Sequence, residues 1–257
     1  MIQLFVENRL FVEDPQLILL DKDGTLIDIH HYWASMIRIR SRRIREKWLG
    51  GVPDGETLEN RLVDAMGVDT QTGRMKPDGP VGVKPRSFIV NVATDVLKDA
   101  GVATTGDDME AVFRDVDETT AEDILPLLRL LPGVTTFLER AHDCGVDLAV
   151  VSTDITERVN RAMIALGIDG YFSAIVGGDA VANPKPAPDS VAVVLKQGNY
   201  SKTKVVIIGD HPVDIQMGIN AGIEKNIAVL TGLANSERFE PYPCTVIEDL
   251  SHLELRC

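Results

Sequence analysis

Asp21 and Asp23 stand two residues apart at the end of an apolar run, LILLDKDGTLID at 17–28. Side chains two apart on a strand point to the same side, so both carboxylates can face one spot beyond the strand's carboxyl end. In open parallel sheets that edge is where ligands bind. Two anions so close disfavour each other's ionisation. The pair is tolerable if a cation sits there, or if one carboxyl keeps its proton. Each solution has a chemical use: a cation-bound Asp is an ionised nucleophile, and a protonated neighbour is a general acid. Gly24 permits the tight turn that follows. An EF-hand reading of DKDGT fails, because Thr25 and Leu26 stand where that loop needs an acid or Asn and then a Gly.

Other apolar runs end in polar groups of the same kind. VVIIGDHPVD (205–214) puts Asp210 after a buried run and a Gly, with Asp214 one helical turn further. If the two runs are neighbouring strands, Asp21, Asp23, Asp210 and Asp214 converge. An all-oxygen cluster of this kind suits Mg²⁺, which also favours substrate phosphate. LAVVS (148–152) ends at Ser152, Thr153 and Asp154. A hydroxyl there, with backbone N–H groups opening the next helix, can bind a phosphate. NPKPAPD (183–189) holds Lys185 between two prolines, a point charge suited to a phosphoryl oxygen. Singly, these residues read as strand ends, helix caps, a dipole-favoured acid and a solvated lysine. Their order, each at or just beyond a strand end, is what points to a site.

The elements that must position them alternate. Helical patterns at 133–145, 155–167, 189–198 and 213–222 separate short apolar runs at 146–152, 174–176, 204–210, 226–230 and 244–249. Continuous apolar strands between helices predict a parallel sheet covered on both faces. The fold class is therefore α/β, a Rossmann-like parallel sheet core. The N-terminal IQLFVENRLFVE fits a hairpin at one edge of that sheet. Residues 29–125 read differently, with helical patterns at 33–49, 57–67, 87–101 and 107–123. Asp107 fits an N-cap and Gly101 a stop. The Gly- and Pro-rich stretch 70–86 reads as a loop. The predicted organisation is a core of 1–28 and 126–257, with an all-helical domain of 29–125 inserted after the first motif.

Composition narrows the classes further. The 257 residues carry a net charge of −13, which repels phosphate backbones and argues against nucleic-acid binding. No apolar stretch approaches the ~20 residues needed to span a bilayer, and the N-terminus lacks a signal-peptide pattern. The expectation is a soluble cytoplasmic protein with no membrane partner. The three cysteines, Cys144, Cys244 and Cys257, are widely spaced and read as reduced thiols, with Cys144 at a helix end.

The combination resembles the phosphatase branch of the haloacid dehalogenase superfamily over nearly the whole chain. DKDGT is similar to its first motif, VVST to the second, PKPAPD to the third and GDHPVD to the fourth. LLPGV near 134 and NAGI after the fourth motif resemble the phosphoglycolate-phosphatase-like group, whose helical cap residues 29–125 match. The resemblance implies that Asp21 is the nucleophile forming an aspartyl-phosphate. It implies that Asp23 is the general acid and base, with its backbone carbonyl on Mg²⁺. Ser152 would hold the phosphate, Lys185 would steady the charged intermediate, and Asp210 and Asp214 would serve the metal. Gly24, Thr25 and Thr153 would line the phosphate site. The acid at position 23 points to phosphate esters rather than to dehalogenation, and the absent membrane helices separate the chain from the DKTGT ion pumps. His211 stands where the fourth motif commonly has a small residue.

The implied reaction is Mg²⁺-dependent hydrolysis of a small-molecule phosphate ester by a monomer or homodimer. A sugar phosphomutase uses the same Asp pair, although Thr25 in place of Val favours hydrolysis. A catalytically silent binding module has no need of both Asp21 and Asp23. Substrate choice would fall to the cap. His30, His31, Tyr32 and Trp33 lie just past the first motif. Arg38, Arg40, Arg42, Arg43, Arg45 and Lys47 follow, reading either as an anion-binding wall or, since they surround the helix, as a solvated face paired with acids. Lys84 and Arg86 are further candidates, so Arg38 and Arg86 are expected to affect KM.

Overall fold

The computed structural model describes residues 1–52, 54–81 and 84–257. In chain order the elements are β1 (Gln3–Val6), β2 (Arg9–Glu13), β3 (Leu17–Leu20), α1 (Ile29–Ile44), α2 (Gly55–Ala65), α3 (Arg86–Asp99), α4 (Gly106–Glu122), α5 (Val134–Asp143), β4 (Asp147–Val151), α6 (Thr156–Ala165), β5 (Phe172–Val176), α7 (Asp189–Leu195), β6 (Val205–Gly209), α8 (Pro212–Asn220), β7 (Lys225–Val229), β8 (Thr245–Ile247) and β9 (Leu253–Arg256). The chain divides into two compact units, one of Met1–Asp28 with Leu128–Cys257 and one of Ile29–Leu127. Among the described residues, no helix is long and apolar enough to cross a membrane.

The first unit is built on a six-stranded sheet in the order β5-β4-β3-β6-β7-β8, parallel throughout. β3 (LILL) and β6 (VVIIG) sit side by side in its centre, and every residue of both is buried. That explains their lack of polar alternation, since helices cover both faces. Leu17, Leu19, Ala149, Val151, Val205 and Ile207 share one face, packed on Val191 and Val194 of α7 and Met217 of α8. Leu20 pairs with Val150 on one side and Ile208 on the other. Asp21, Ser152 and Asp210 therefore leave the sheet within a residue of one another along the strand direction.

Two expectations are corrected here. The N-terminal hairpin does not extend the main sheet. β1 pairs with β2 and with the C-terminal β9, forming a separate antiparallel sheet in the order β2-β1-β9. The LELR of β9 alternates buried and exposed residues, a pattern of one covered face. Nor are all three cysteines reduced thiols. Cys144, the C-cap of α5, is joined to Cys257 in a disulfide, and Cys244 is free. The β9 segment that carries Cys257 lies against α5, where Arg140 also donates a 3.0 Å hydrogen bond to the carbonyl of Leu255.

The second unit is helical. α1 starts at Ile29, so His30, His31, Tyr32 and Trp33 lie inside its first turns, and it runs into a π-helical turn at Arg45–Leu49. Several cations of this stretch pair with acids: Arg40 with Asp117, Arg43 with Asp115 and Glu46, and Arg45 with Glu59. The N-cap of α4 is Thr105 in place of the expected Asp107, because Thr105 has the extended backbone a cap requires and forms a capping box with Asp108. Asp107 falls in the first turn. Of the loop expected over 70–86, residues 82 and 83 lie outside the described residues, and Arg86 opens α3 instead of ending the loop.

Candidate active site

Asp21, Asp210 and Asp214 each bring a carboxylate oxygen within 4.8 Å of the others. Lys185 Nζ donates to Asp21 Oδ1 at 2.6 Å and to Asp214 Oδ1 at 2.5 Å. The lysine is delivered by the loop before α7, held by Asn220, which donates to the Pro186 carbonyl at 2.9 Å. Asp189 accepts from the backbone and side chain of Asn183 in the same loop. The Lys185–Pro186 peptide bond is cis. Asp214 is fixed from a second direction, since its Oδ2 accepts the His211 N–H at 3.0 Å, closing a capping box at the start of α8. His211 thereby acts as the helix cap, and burial, with Arg238 assisting, lowers its pKa below the usual value.

Glycines make room for this cluster. A Cβ on Gly24 or on Gly232 would collide with the Asp210 carboxylate, and one on Gly209 would collide with Asp214. Gly24 also has φ +91°, a conformation that L side chains rarely adopt. The loop after β7 closes the same wall: Thr231 Oγ1 donates to the Gly24 carbonyl at 2.5 Å, and the Leu233 N–H reaches Asp210 Oδ2 at 3.3 Å.

The charge balance tests whether a metal fits. Burial raises the Asp21 pKa to about 6 in spite of Lys185. Burial also pushes Asp210 well above the usual range, with Asp21 and Asp214 adding to it. Three carboxylates against one ammonium leave a net formal charge of −2 when all are ionised. A divalent cation would balance that charge, and the donors are all oxygen, the set that Mg²⁺ accepts. The residues present fit the ion.

Asp23 stands apart from these three. Its carboxylate is not part of the cluster and instead meets the buried ammonium of Lys22, at 3.0 Å. Of the four acids expected to converge, Asp23 therefore keeps its carboxylate outside this group, and the metal contact expected of it runs through its backbone carbonyl. Burial raises the Asp23 pKa, with Lys22 opposing. Lys22 also donates to Asp154 Oδ2 at 2.8 Å. Ser152 is buried between these groups and the sheet, and its Oγ accepts the Asp154 N–H at 3.1 Å. Thr153 is exposed and Thr25 is buried.

The cap candidates have work within their own unit. His30 Nδ1 accepts the Met75 N–H at 3.1 Å, holding the loop after α2. Arg38 donates to the Gly73 carbonyl at 3.3 Å from an exposed position. Arg86 forms ion pairs with Glu110 and Asp117. Sequence reasoning missed Lys22, Asp154, Gly209, Thr231 and Gly232. A lysine two residues past a wholly buried strand, between two aspartates, was the available signal for the first of these.

Residues 83–229, more than half of the chain, match the haloacid dehalogenase-like hydrolase family. The chain belongs to that family of hydrolases. It is 26% identical over 249 residues to the phosphoglycolate phosphatase of Pseudomonas fluorescens, covering 95% of this chain and 80% of the relative. It is 30% identical over 115 residues to the pyrophosphatase PpaX of Listeria monocytogenes, covering 45% of this chain and about half, 52%, of that enzyme. Its fold is that of a solved structure described as a predicted phosphoglycolate phosphatase from Haemophilus somnus, with a TM-score of 0.67 at 22% identity, covering 93% of this chain and 96% of the other.

Proposed function

We propose that the protein is a Mg²⁺-dependent phosphatase that hydrolyses a small-molecule phosphate monoester through an aspartyl-phosphate on Asp21. The observation that carries this reading is the division of the carboxylates between two lysines. Asp21 shares Lys185 with Asp214 beside Asp210, while Asp23, two residues on, is held separately by Lys22. A nucleophile must be ionised and a general acid must carry a proton. Two carboxyls given different electrostatic surroundings can meet both demands.

Asp21, Asp210 and Asp214 would hold the metal. When bound, Mg²⁺ supplies positive charge that offsets the charge on the phosphoryl oxygens. Lys185 keeps Asp21 ionised and oriented, and adds a second positive charge beside the transferring group. Asp21 attacks phosphorus, forming an Asp21 Oδ–P bond as the bond to the alcohol oxygen breaks. Asp23 delivers its proton to that oxygen. Water then attacks the aspartyl-phosphate and gives its proton back to Asp23, releasing phosphate and restoring Asp21. Ser152 and the N–H groups opening α6 are the proposed phosphate cradle. The helical unit, 29–127, is the proposed substrate-selecting cap. The Pseudomonas phosphoglycolate phosphatase and the Listeria pyrophosphatase support small phosphorylated compounds as the substrate class.

The test is phosphate release from a broad panel of monoesters, with and without Mg²⁺, for wild type and Asp21→Asn. Release that depends on Mg²⁺ and vanishes in the variant is the expected result. Wild-type turnover by Asp21→Asn would end the reading. An isomerised sugar phosphate in place of free phosphate would convert it to a phosphomutase.

A further inference from the structure

Lys22 is the residue of the first motif for which the reaction above has no use. It lies between the proposed nucleophile and the proposed acid, and it is 0% exposed. Burying an ammonium is costly unless it is paired, so its partners define what it does. They include Asp23 Oδ2 at 3.0 Å and Asp154 Oδ2 at 2.8 Å. The two partners are held differently.

Asp154 is firmly fixed. Its Oδ1 accepts from Arg158 at 2.8 Å and from the Ile155 N–H at 2.8 Å, while its own N–H donates to Ser152 Oγ. Its carbonyl accepts the Gly178 N–H at 2.8 Å. Burial works against the Asp154 charge, yet Lys22 and Arg158 hold its carboxyl below the usual carboxylate range. Asp154 is therefore a standing anion, tied to the loop after β4 and to the first turn of α6. Asp154 gives Lys22 a fixed position from which to hold Asp23.

Resting on the reading of Asp23 as general acid, we propose that Lys22 is a positioning residue, anchored by Asp154, that sets the Asp23 carboxyl for proton delivery and couples it to the Ser152 loop. The intervening residue of the Asp-Lys-Asp triplet then serves the reaction without touching substrate. A small displacement of a catalytic group can cost about 100-fold in rate. The loss from removing Lys22 should fall on the step that needs the proton.

The experiment compares kcat/KM on an alkyl phosphate and on 4-nitrophenyl phosphate for wild type, Asp23→Asn, Lys22→Met and Asp154→Asn. The nitrophenolate leaves without a proton, whereas an alkoxide does not. Asp23→Asn is expected to lose about 100-fold or more on the alkyl ester and much less on the aryl ester. Lys22→Met and Asp154→Asn are expected to show the same selective loss, and the double variant should be no worse than Lys22→Met alone. Equal losses on both esters, or none, in Lys22→Met and Asp154→Asn while Asp23→Asn discriminates would overturn the inference and leave the acid assignment standing. Failure of Asp23→Asn itself to discriminate would bring down both. If Lys22→Met does not fold, the shape-conserving Asp154→Asn decides the matter alone.

Discussion

The ammonium of Lys185 lies 2.6 Å from Oδ1 of Asp21, although the two residues are 164 positions apart in the chain. The contact joins the loop before α7 to the end of β3, and Asp214 completes it from α8. A buried cation serving two carboxylates cannot be removed without leaving uncompensated charge. Lys185→Met is therefore expected to lower kcat on every phosphoester by at least about 100-fold, in line with the loss of one positioned electrostatic partner. Lys185→Arg should not rescue, because a planar guanidinium does not reproduce a compact ammonium between two oxygens. Steady-state kinetics on the best panel substrate checks both variants.

Gly232 predicts a different defect. Its missing side chain leaves the space that the Asp210 carboxylate occupies. Gly232→Ala must displace Asp210 while leaving Lys185, Asp21 and the sheet core untouched. The expected outcome is a rise of about tenfold to 100-fold in the Mg²⁺ concentration giving half-maximal activity, as for other groups that orient a metal ligand. Titration of activity against Mg²⁺ reads it. An unchanged Mg²⁺ requirement would show that Asp210 is not a ligand.

How far the sequence foretold this arrangement depends on distance along the chain. The meeting of Asp21, Asp210 and Asp214 was legible because positions at the carboxyl ends of parallel strands share one edge, and the buried runs of β3 and β6 mark those strands; the Asp23 carboxylate, expected with them, turns to Lys22 instead, and Lys185 reaches the group from a loop that strand ends do not locate. The surroundings of Lys22 were not legible. The position of Lys22 between two aspartates does not show that it is buried or that Asp154, 132 residues on, is a partner. The disulfide was hidden for a related reason. Its cysteines are 113 residues apart, and they meet because the short β9 docks against α5. Arg86 was placed in a loop because the Pro and Gly residues before it mask a helix start, yet its ion pairs lie along α3 and α4.

That disulfide carries its own prediction. Closing so long a loop stabilises a fold by typically about 2–4 kcal/mol. Thiol titration of the native protein is expected to find one reactive group, Cys244, and three after reduction in denaturant. A reductant should lower the denaturation midpoint of wild type and leave that of Cys257→Ser unchanged. Three thiols in the native protein purified without reductant would contradict the bond.

Asp117 separates structural from substrate-binding roles for the cap arginines. It accepts from the buried Arg40 at 2.7 Å and pairs with Arg86, which it shares with Glu110. The Arg40 guanidinium also stacks 4.4 Å from the Phe113 ring centroid. Asp117→Asn would leave Arg40 buried without its carboxylate, a change that costs about 3–5 kcal/mol when one half of a buried pair is lost. Arg86→Ala removes a half-buried arginine and should cost less. Chemical denaturation is expected to rank the two variants in that order, with KM for the best panel substrate little changed in Arg86→Ala. A large rise in KM with wild-type stability would instead return Arg86 to the substrate-binding role that its position beside the loop suggests.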